Sequence, residues 1–506
     1  MRDDAVDADY KGFGSGERVT EKALVAVDLG GESCRVSLLR RDKNRPTPEL
    51  IHRFPNGPVA EGRRLYWDIE HVCAGVEEGI RLCAAAASEG IASIGVDGWG
   101  VDYVRVTSDG GAAGKAFCYR DERTVEAEKQ VHKVISRGRL YELTGIQFHR
   151  INTIYQLFAD RADGVDEHLP WLQISEFVTH WLGGEAVCEY TNVTHSELVE
   201  RKTHDWCDEV FHATGIDRGA THKIVRPGYV AGPLKAALAE LPALRDAQLI
   251  MPACHDTASA IAGIPADGED WAFISSGTWS LVGTLLDTPC ATKEAFASNF
   301  TNLGGVGGKT CFLKNVNGMW LLRQCLEQWK KQGYDLSIEE LIAACEKLPA
   351  PDHLIDVDDP EFLLPGNLPA VVNARRAQSG RGALTNGRDG IVRMANIVLH
   401  SLAARYAQVL ADVAAITKKK IRRLYIVGGG GRNELLNRLT AERTGIEVVV
   451  GSAESSTIGN FAVQLAALAG EYDSATGVKF DAVAKYADAM LGNSLEGSLA
   501  SKSSRL

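Results

Sequence analysis

No run of about eighteen apolar residues occurs in the chain, so no segment reads as a membrane-spanning helix. The opening stretch, MRDDAVDADYKGFGSGERVTEK, lacks the apolar centre of a secretory signal and is taken as a flexible tail over residues 1–22. Basic runs are missing apart from Lys418-Lys419-Lys420, read as a solvated helix end, and a formal net charge of -11 disfavours a nucleic-acid surface. There is no C-x-x-C pair, and none of the eleven cysteines clusters with histidine; with the odd count this excludes a zinc ribbon and a disulfide framework. Reduced thiols in a cytoplasmic protein are expected. What is present is ordinary for a globular chain, 45% hydrophobic and 24% charged residues, and 506 residues exceed what one core supports, so two domains are expected.

The order of local signals gives the fold class. An apolar run over 23–27 passes through Asp28-Leu29-Gly30-Gly31-Glu32-Ser33 into a second run over 36–39, the pattern of a strand hairpin. Asp68 then caps a helix over 69–87 whose Ile69, Val72, Val76, Ile80 and Cys83 share one face, with Gly90 as the stop. A strand over 91–96 ends in Asp97-Gly98-Trp99-Gly100, and another is expected over 101–106. The second half repeats this grammar: a hairpin over 273–286, a long helix over 391–416, a strand over 424–427, the glycines Gly428 to Gly431, a helix capped by Asn433, and a strand over 447–450. Alternating strands and helices define an α/β class. Two such domains, 23–265 and 266–480, are expected to face each other across a cleft, followed by a polar tail over 481–506. The repetition is too weak to assert a duplication.

The seam between the halves, residues 251–283, carries the candidate chemistry. His255-Asp256-Thr257 precedes a small-residue run that reads as a helix start, so Asp256 would sit where a dipole and free amides keep a carboxylate ionised. Beyond it, the turn Ser276-Gly277-Thr278 between two strands leaves amides and a hydroxyl free for an anion. The first hairpin offers a similar cradle, with Asp28 as an acid for a hydrated metal and Arg35 as a guanidinium. Each feature has a plainer reading: Asp256 as a helix cap, the Asp28 hairpin as an ordinary glycine turn, Trp99 as core. Two glycine clusters are decoys. GGVGGKT at 304–310 has Leu303 where a P-loop needs glycine and runs into a strand, and Gly428-x-Gly430 has Asn433 where a dinucleotide fingerprint needs its third glycine.

VAVDLGGESCRV, IGVDGWGVDYV, CYRDERT, TGIQFHRINTIYQL, EYTNVT, HDTASA, SSGTWSLVG, LKNVNGMWLL and YIVGGGGRNELLN occur in that order and together resemble the FGGY family of carbohydrate kinases over nearly the whole chain except its tails. The resemblance implies two actin-like, ribonuclease-H-like ATPase domains closing over a central cleft. It also implies ATP-dependent phosphorylation of a ketose at O1, with L-rhamnulose favoured and L-fuculose or L-xylulose as alternatives. An actin-fold ATP-binding regulator without sugar turnover is the competitor from another class. Carried over by position, Asp256 is the general base, and Gly100, His255, Asp256, Thr257 and Asn315 contact the sugar. Gly31, Glu32, Ser33, Cys34, Arg35 and Thr278 hold the ATP phosphates, Arg323 stands at a nucleotide contact, and Gly429 and Gly430 border the adenosine. Asp28 would serve Mg²⁺ through water. The expected partners are a sugar and ATP, with no nucleic acid or membrane; monomer and homodimer stay open. The chain departs from the family pattern at Glu32 and Cys34 in the first phosphate turn, at Gly98, at Ile174-Ser175-Glu176, at Leu303, and at Arg323, where glutamine is usual.

Overall fold

Two mixed sheets, each built outward from a buried hairpin, divide the computed structural model, which describes residues 22–41, 46–363, 366–385, 387–492 and 498–499. In the first, β1 (Ala23–Leu29) pairs antiparallel with β2 (Ser33–Leu39), Asp28 opposite Arg35, and β3 (Pro48–Pro55) joins antiparallel to β2. After helix α1 (Ile69–Ala86), β4 (Ile91–Gly98) runs parallel to β1, and β5 (Val230–Pro233) and β6 (Gln248–Ile250) complete the order β5-β6-β4-β1-β2-β3. Every residue of β1 and β4 is buried, as expected for apolar strands covered on both faces. The Asp68 side chain caps α1 at the His71 amide, and the five residues predicted for its inner face are all buried.

Helix α2 (Asp256–Ala262) leads into the second sheet. There β7 (Trp271–Ser276) and β8 (Trp279–Leu286) form the hairpin, flanked by β9 (Thr301–Gly304) and β10 (Thr310–Asn317). The helices α3 (Trp320–Lys331) and α4 (Arg388–Thr417) come before β11 (Arg423–Val427). Next are α5 (Glu434–Thr444), capped by the Asn433 side chain, and β12 (Glu447–Val450). The chain then runs through α6 (Ser455–Leu468) and α7 (Phe480–Leu491) to β13 (Ser498–Leu499) at the sheet edge. The series β3-β2-β1-β4-β6 and β10-β8-β7-β11-β12 have the same sense at each pairing: antiparallel, antiparallel, parallel, parallel. The repeat that was too faint to assert from sequence is plain in the topology.

Several expectations are corrected. The strand over 101–106 shrinks to Tyr103–Arg105 and pairs with Trp171–Gln173 outside the main sheet, because Val101 takes a left-handed backbone with φ 71°. The polar tail does not begin at 481: α7 buries Val483, Ala487, Met490 and Leu491, and Ser498–Leu499 pair with β12. The remaining tail residues, 1–21, 493–497 and 500–506, lie outside the described residues. Helix α6 was assigned to the second half, yet its Ile458, Phe461 and Ala462 share one core with Leu24 and Ala26 of β1. Its Gln464 Nε2 donates to Val25 O at 3.0 Å, and Ser93 Oγ donates to Gln464 Oε1 at 2.6 Å. Lys419 is not a solvated helix end either; its Nζ donates to Leu285 O at 2.9 Å and Thr284 Oγ1 at 3.2 Å. Among the described residues no helix is long and apolar enough to cross a membrane.

Candidate active site

The loop before α2 lies beside the end of β4, with Gly98 N donating to Cys254 O at 2.9 Å and Gly98 bridging to His255. Asp256, the first residue of α2, accepts from Thr257 Oγ1 at 3.1 Å, lies 3.4 Å from His255 Nε2, and leaves 38% of its side chain exposed. Its pKa is raised to about 7, chiefly by burial and then by the charge of Asp28, against the Thr257 hydrogen bond. This corrects the expectation of a dipole-stabilised carboxylate: α2 has only 7 residues, and burial beside a second acid outweighs it. Asp97, at the end of β4, is pushed well above the carboxylate range by burial and then by Asp28; one oxygen accepts from Asn460 Nδ2 at 2.6 Å and the other has no partner. Burial also raises Asp28, opposed by Arg35 at 3.1 Å and by Ser456 Oγ at 2.9 Å. Three strand and helix ends thus bring three carboxylates to one floor.

Beside Asp256 the structure adds residues to which the sequence gave no role. A Cβ on Gly100 would lie 2.2 Å from His195 Nδ1, and the His195 ring meets that of His255 edge-on with centroids 4.0 Å apart. Burial lowers the His195 pKa to about 3 and pushes His255 well below the ordinary histidine value, so both rings are neutral near pH 7. Asn192 Nδ2 donates to Glu176 Oε2 at 2.9 Å, which fixes the amide, while Asn192 Oδ1, His195 Nε2 and His255 Nδ1 are buried without partners. Glu189 accepts from Thr191 N and Cys254 N, both at 2.9 Å, and so ties this segment to the approach of Asp256. Burial raises Glu176 to about 8, helped by the charge of Glu189, which is itself raised to about 7. Val101, a β-branched residue at φ 71° directly after Gly100, stores on the order of 1–3 kcal/mol of strain. The motif EYTNVT pointed to Glu189, Thr191 and Asn192 and the segment Ile174-Ser175-Glu176 to Glu176, whereas His195 follows the motif and had no signal of its own.

The second half supplies a wall of turns. Trp320 N donates to Thr278 O at 3.4 Å, a Cβ on Gly318 would lie 2.8 Å from that carbonyl, and a Cβ on Gly430 would lie 2.1 Å from Ser276 Oγ. A Cβ on Gly429, by contrast, would meet nothing within 4 Å. On the opposite wall, Ser33 Oγ accepts from Arg53 Nη2 at 3.0 Å, and Arg35 lies 3.6 Å from Glu454 besides its pairing with Asp28. The Cys34 side chain is fully buried in the first core, with burial raising the thiol to about 12, so only the backbone of residue 34 is left to face a nucleotide. It also needs no glycine-like backbone, since its φ is not positive. Contacts cross between the halves. Gln147 Oε1 accepts from Asn315 Nδ2 at 3.1 Å, Phe148 N donates to Asn299 Oδ1 at 2.9 Å, and Glu32 pairs with Arg323. Asp256, His255, Thr257 and Gly100 therefore gather on one side, Thr278, Gly429, Gly430 and Arg323 on the other.

A pair of α/β domains whose main sheets repeat the same order of strand senses defines the actin-like, ribonuclease-H-like class of two-domain phosphotransferases. Residues 23–263 match the N-terminal domain, and residues 272–468 the C-terminal domain, of the FGGY family of carbohydrate kinases. The chain belongs to that family. It is 36% identical over 457 residues to a rhamnulokinase of Bacteroides thetaiotaomicron, covering 90% of this chain and 92% of that protein. With a rhamnulokinase of Enterococcus faecalis it shares 36% identity over 462 residues, 89% of this chain and 90% of the other. Among solved structures, a ligand-bound xylulose kinase from Lactobacillus acidophilus superposes with a TM-score of 0.71 at 17% identity, covering 93% of this chain and 96% of that one. A Plasmodium falciparum glycerol kinase with ADP gives 0.70 at 14% identity, with 92% of each chain covered. These last two likenesses concern the fold.

Proposed function

We propose that this protein transfers the γ-phosphoryl group of ATP to O1 of L-rhamnulose, yielding L-rhamnulose 1-phosphate. The observation that carries this reading is Asp256: a carboxylate at the seam between the halves, with 38% of its side chain exposed and a pKa raised to about 7. The rhamnulokinase relatives support the choice of sugar. Asp256 accepts the proton of the O1 hydroxyl as that oxygen attacks the γ-phosphorus in line; the bond from γ-phosphorus to the β,γ-bridging oxygen breaks and ADP leaves. His255, Thr257, Gly100 and Asn315 orient the sugar. Gly31 to Arg35 and Thr278 present amides and a hydroxyl to the phosphates, while Gly429, with open space above it, and Gly430 border the adenosine. Asp28 and the orphaned oxygen of Asp97 form an all-oxygen donor set that suits hydrated Mg²⁺, a hard cation that keeps several waters; bound there beside the phosphates it would neutralise their charge. The contacts from Gln147 and Phe148 to the second half favour a closed cleft that excludes water.

A panel of ketoses in a coupled ADP-release assay tests the reading. L-Rhamnulose is expected to give the highest kcat/KM; preference for L-fuculose or L-xylulose would reassign the sugar, and ADP release indifferent to sugar would favour an ATP-binding regulator. The pH profile adds a second check. Asp256 works only when ionised, so kcat/KM should be flat above about pH 7 and fall about tenfold per unit below it, and a profile level down to about pH 5 would remove Asp256 as base. Gly100→Ala should push against His195 and through it His255, cost ~1–3 kcal/mol of folding stability by overpacking, and raise the sugar KM about tenfold without moving the KM for ATP. An unchanged sugar KM would show that this backbone does not border the substrate.

A further inference from the structure

Two of the positions at which the chain departs from its family pattern, Glu32 and Arg323, are 291 residues apart in sequence and form an ion pair in the structure. Glu32 stands in the turn between β1 and β2, a turn braced by Asn56, whose N donates to Glu32 O at 3.0 Å and whose Nδ2 donates to Gly30 O at 2.9 Å. Arg323 stands in the first turns of α3, which abut the Ser276–Thr278 turn; Met319, just before α3, takes the Asn433 amide on its sulfur at 3.6 Å. The pair therefore links the two walls expected to hold the nucleotide. Arg35 is engaged with Asp28 and Glu454, Arg432 with Glu454 at 4.0 Å, Arg53 with Ser33 Oγ at 3.0 Å, and Arg120 lies over the Trp320 ring at 5.7 Å. Among the described residues, the only ion pair of Glu32 and of Arg323 is the one they make with each other.

We propose that Glu32 and Arg323 are a matched pair that positions the first phosphate turn: Arg323 neutralises the carboxylate carried by that turn and ties it to the opposite wall. The proposal rests on the reading that ATP binds between these walls. An unpaired carboxylate within a Debye length of a polyphosphate repels it, and pairing removes most of that repulsion. Both side chains are about half exposed, 59% for Glu32 and 45% for Arg323, so the pair contributes little to folding and its loss leaves the fold intact.

The test is a double-mutant cycle. Binding of a non-hydrolysable ATP analogue is measured by calorimetry, alongside the KM values for ATP and sugar. R323Q is expected to weaken analogue binding and raise the KM for ATP about fivefold, the size of one exposed ion pair, with the sugar KM unmoved. E32Q should tighten analogue binding about twofold, and E32Q/R323Q should recover most of the R323Q loss. The R323Q effect should shrink as ionic strength rises from about 0.05 to about 0.5 M. Unchanged binding in R323Q, or a double variant as weak as R323Q, overturns the proposal. Calorimetry needs no turnover: analogue binding without phosphorylation of L-rhamnulose would sink the sugar assignment and leave the pair measurable, and no binding by the unmodified protein would overturn the pair as well.

Discussion

Asp256→Asn is expected to lower kcat by about 10²-fold or more while leaving the protein as stable as before, or more so. Asparagine keeps the shape and still accepts the Thr257 hydroxyl, so the sugar contacts persist. What disappears is the proton acceptor and a negative charge held near Asp28 and Asp97. The folded-state pKa of Asp256 lies above the ordinary carboxylate range, so the stability that comes from its protonation is fully present below that range and is lost as pH rises through about 7. The variant should lack this fall. Turnover with ATP and L-rhamnulose, beside urea denaturation between about pH 4 and 8, measures both effects. Near-normal turnover in a folded Asp256→Asn protein would sink the base assignment.

The second large effect is expected at the crossing of α2 and α6. A Cβ on Gly459 would lie 1.8 Å from Ser259 O, and one on Gly263 would lie 2.3 Å from Ser455 O, so two backbones approach where only glycine fits. Gly459→Val cannot be relieved by a rotamer change, because the obstacle is main chain. The helices must separate, and α6 then pulls Asn460 from Asp97 and Gln464 from Val25. Overpacking of ~1–3 kcal/mol and a similar cost for stranded buried polar groups give a loss of about 2–6 kcal/mol. Because Asp256 opens α2, a displacement near 1 Å should also lower kcat by at least about tenfold. Denaturation curves and kcat decide it; a variant matching the unmodified protein in both would show that these helices are free to slide.

Local signals carried the architecture. The hairpins were readable from apolar runs broken by Asp28 to Ser33 and by Ser276 to Thr278, α1 from the spacing of its buried face and the Asp68 cap, and α5 from Asn433. Each depends on residues within a few positions of one another. The motifs also carried the family and marked out Asp256, His255 and Gly100. Hidden from the sequence were α6 lying on the first sheet, the buried face of α7, the place of His195 against Gly100, and the partner of Glu32.

The amino-acid order by itself determined the two hairpins, the helices α1 and α5, where the glycine turns fall, and which kinase family the chain joins, because periodicity, caps and turn chemistry act over short stretches. Only the tertiary structure decided the charge environment of Asp256, the collision that keeps residue 100 a glycine, and the joining of Glu32 to Arg323. Burial, electrostatic fields and steric contact depend on groups hundreds of residues away, and no local pattern encodes those distances.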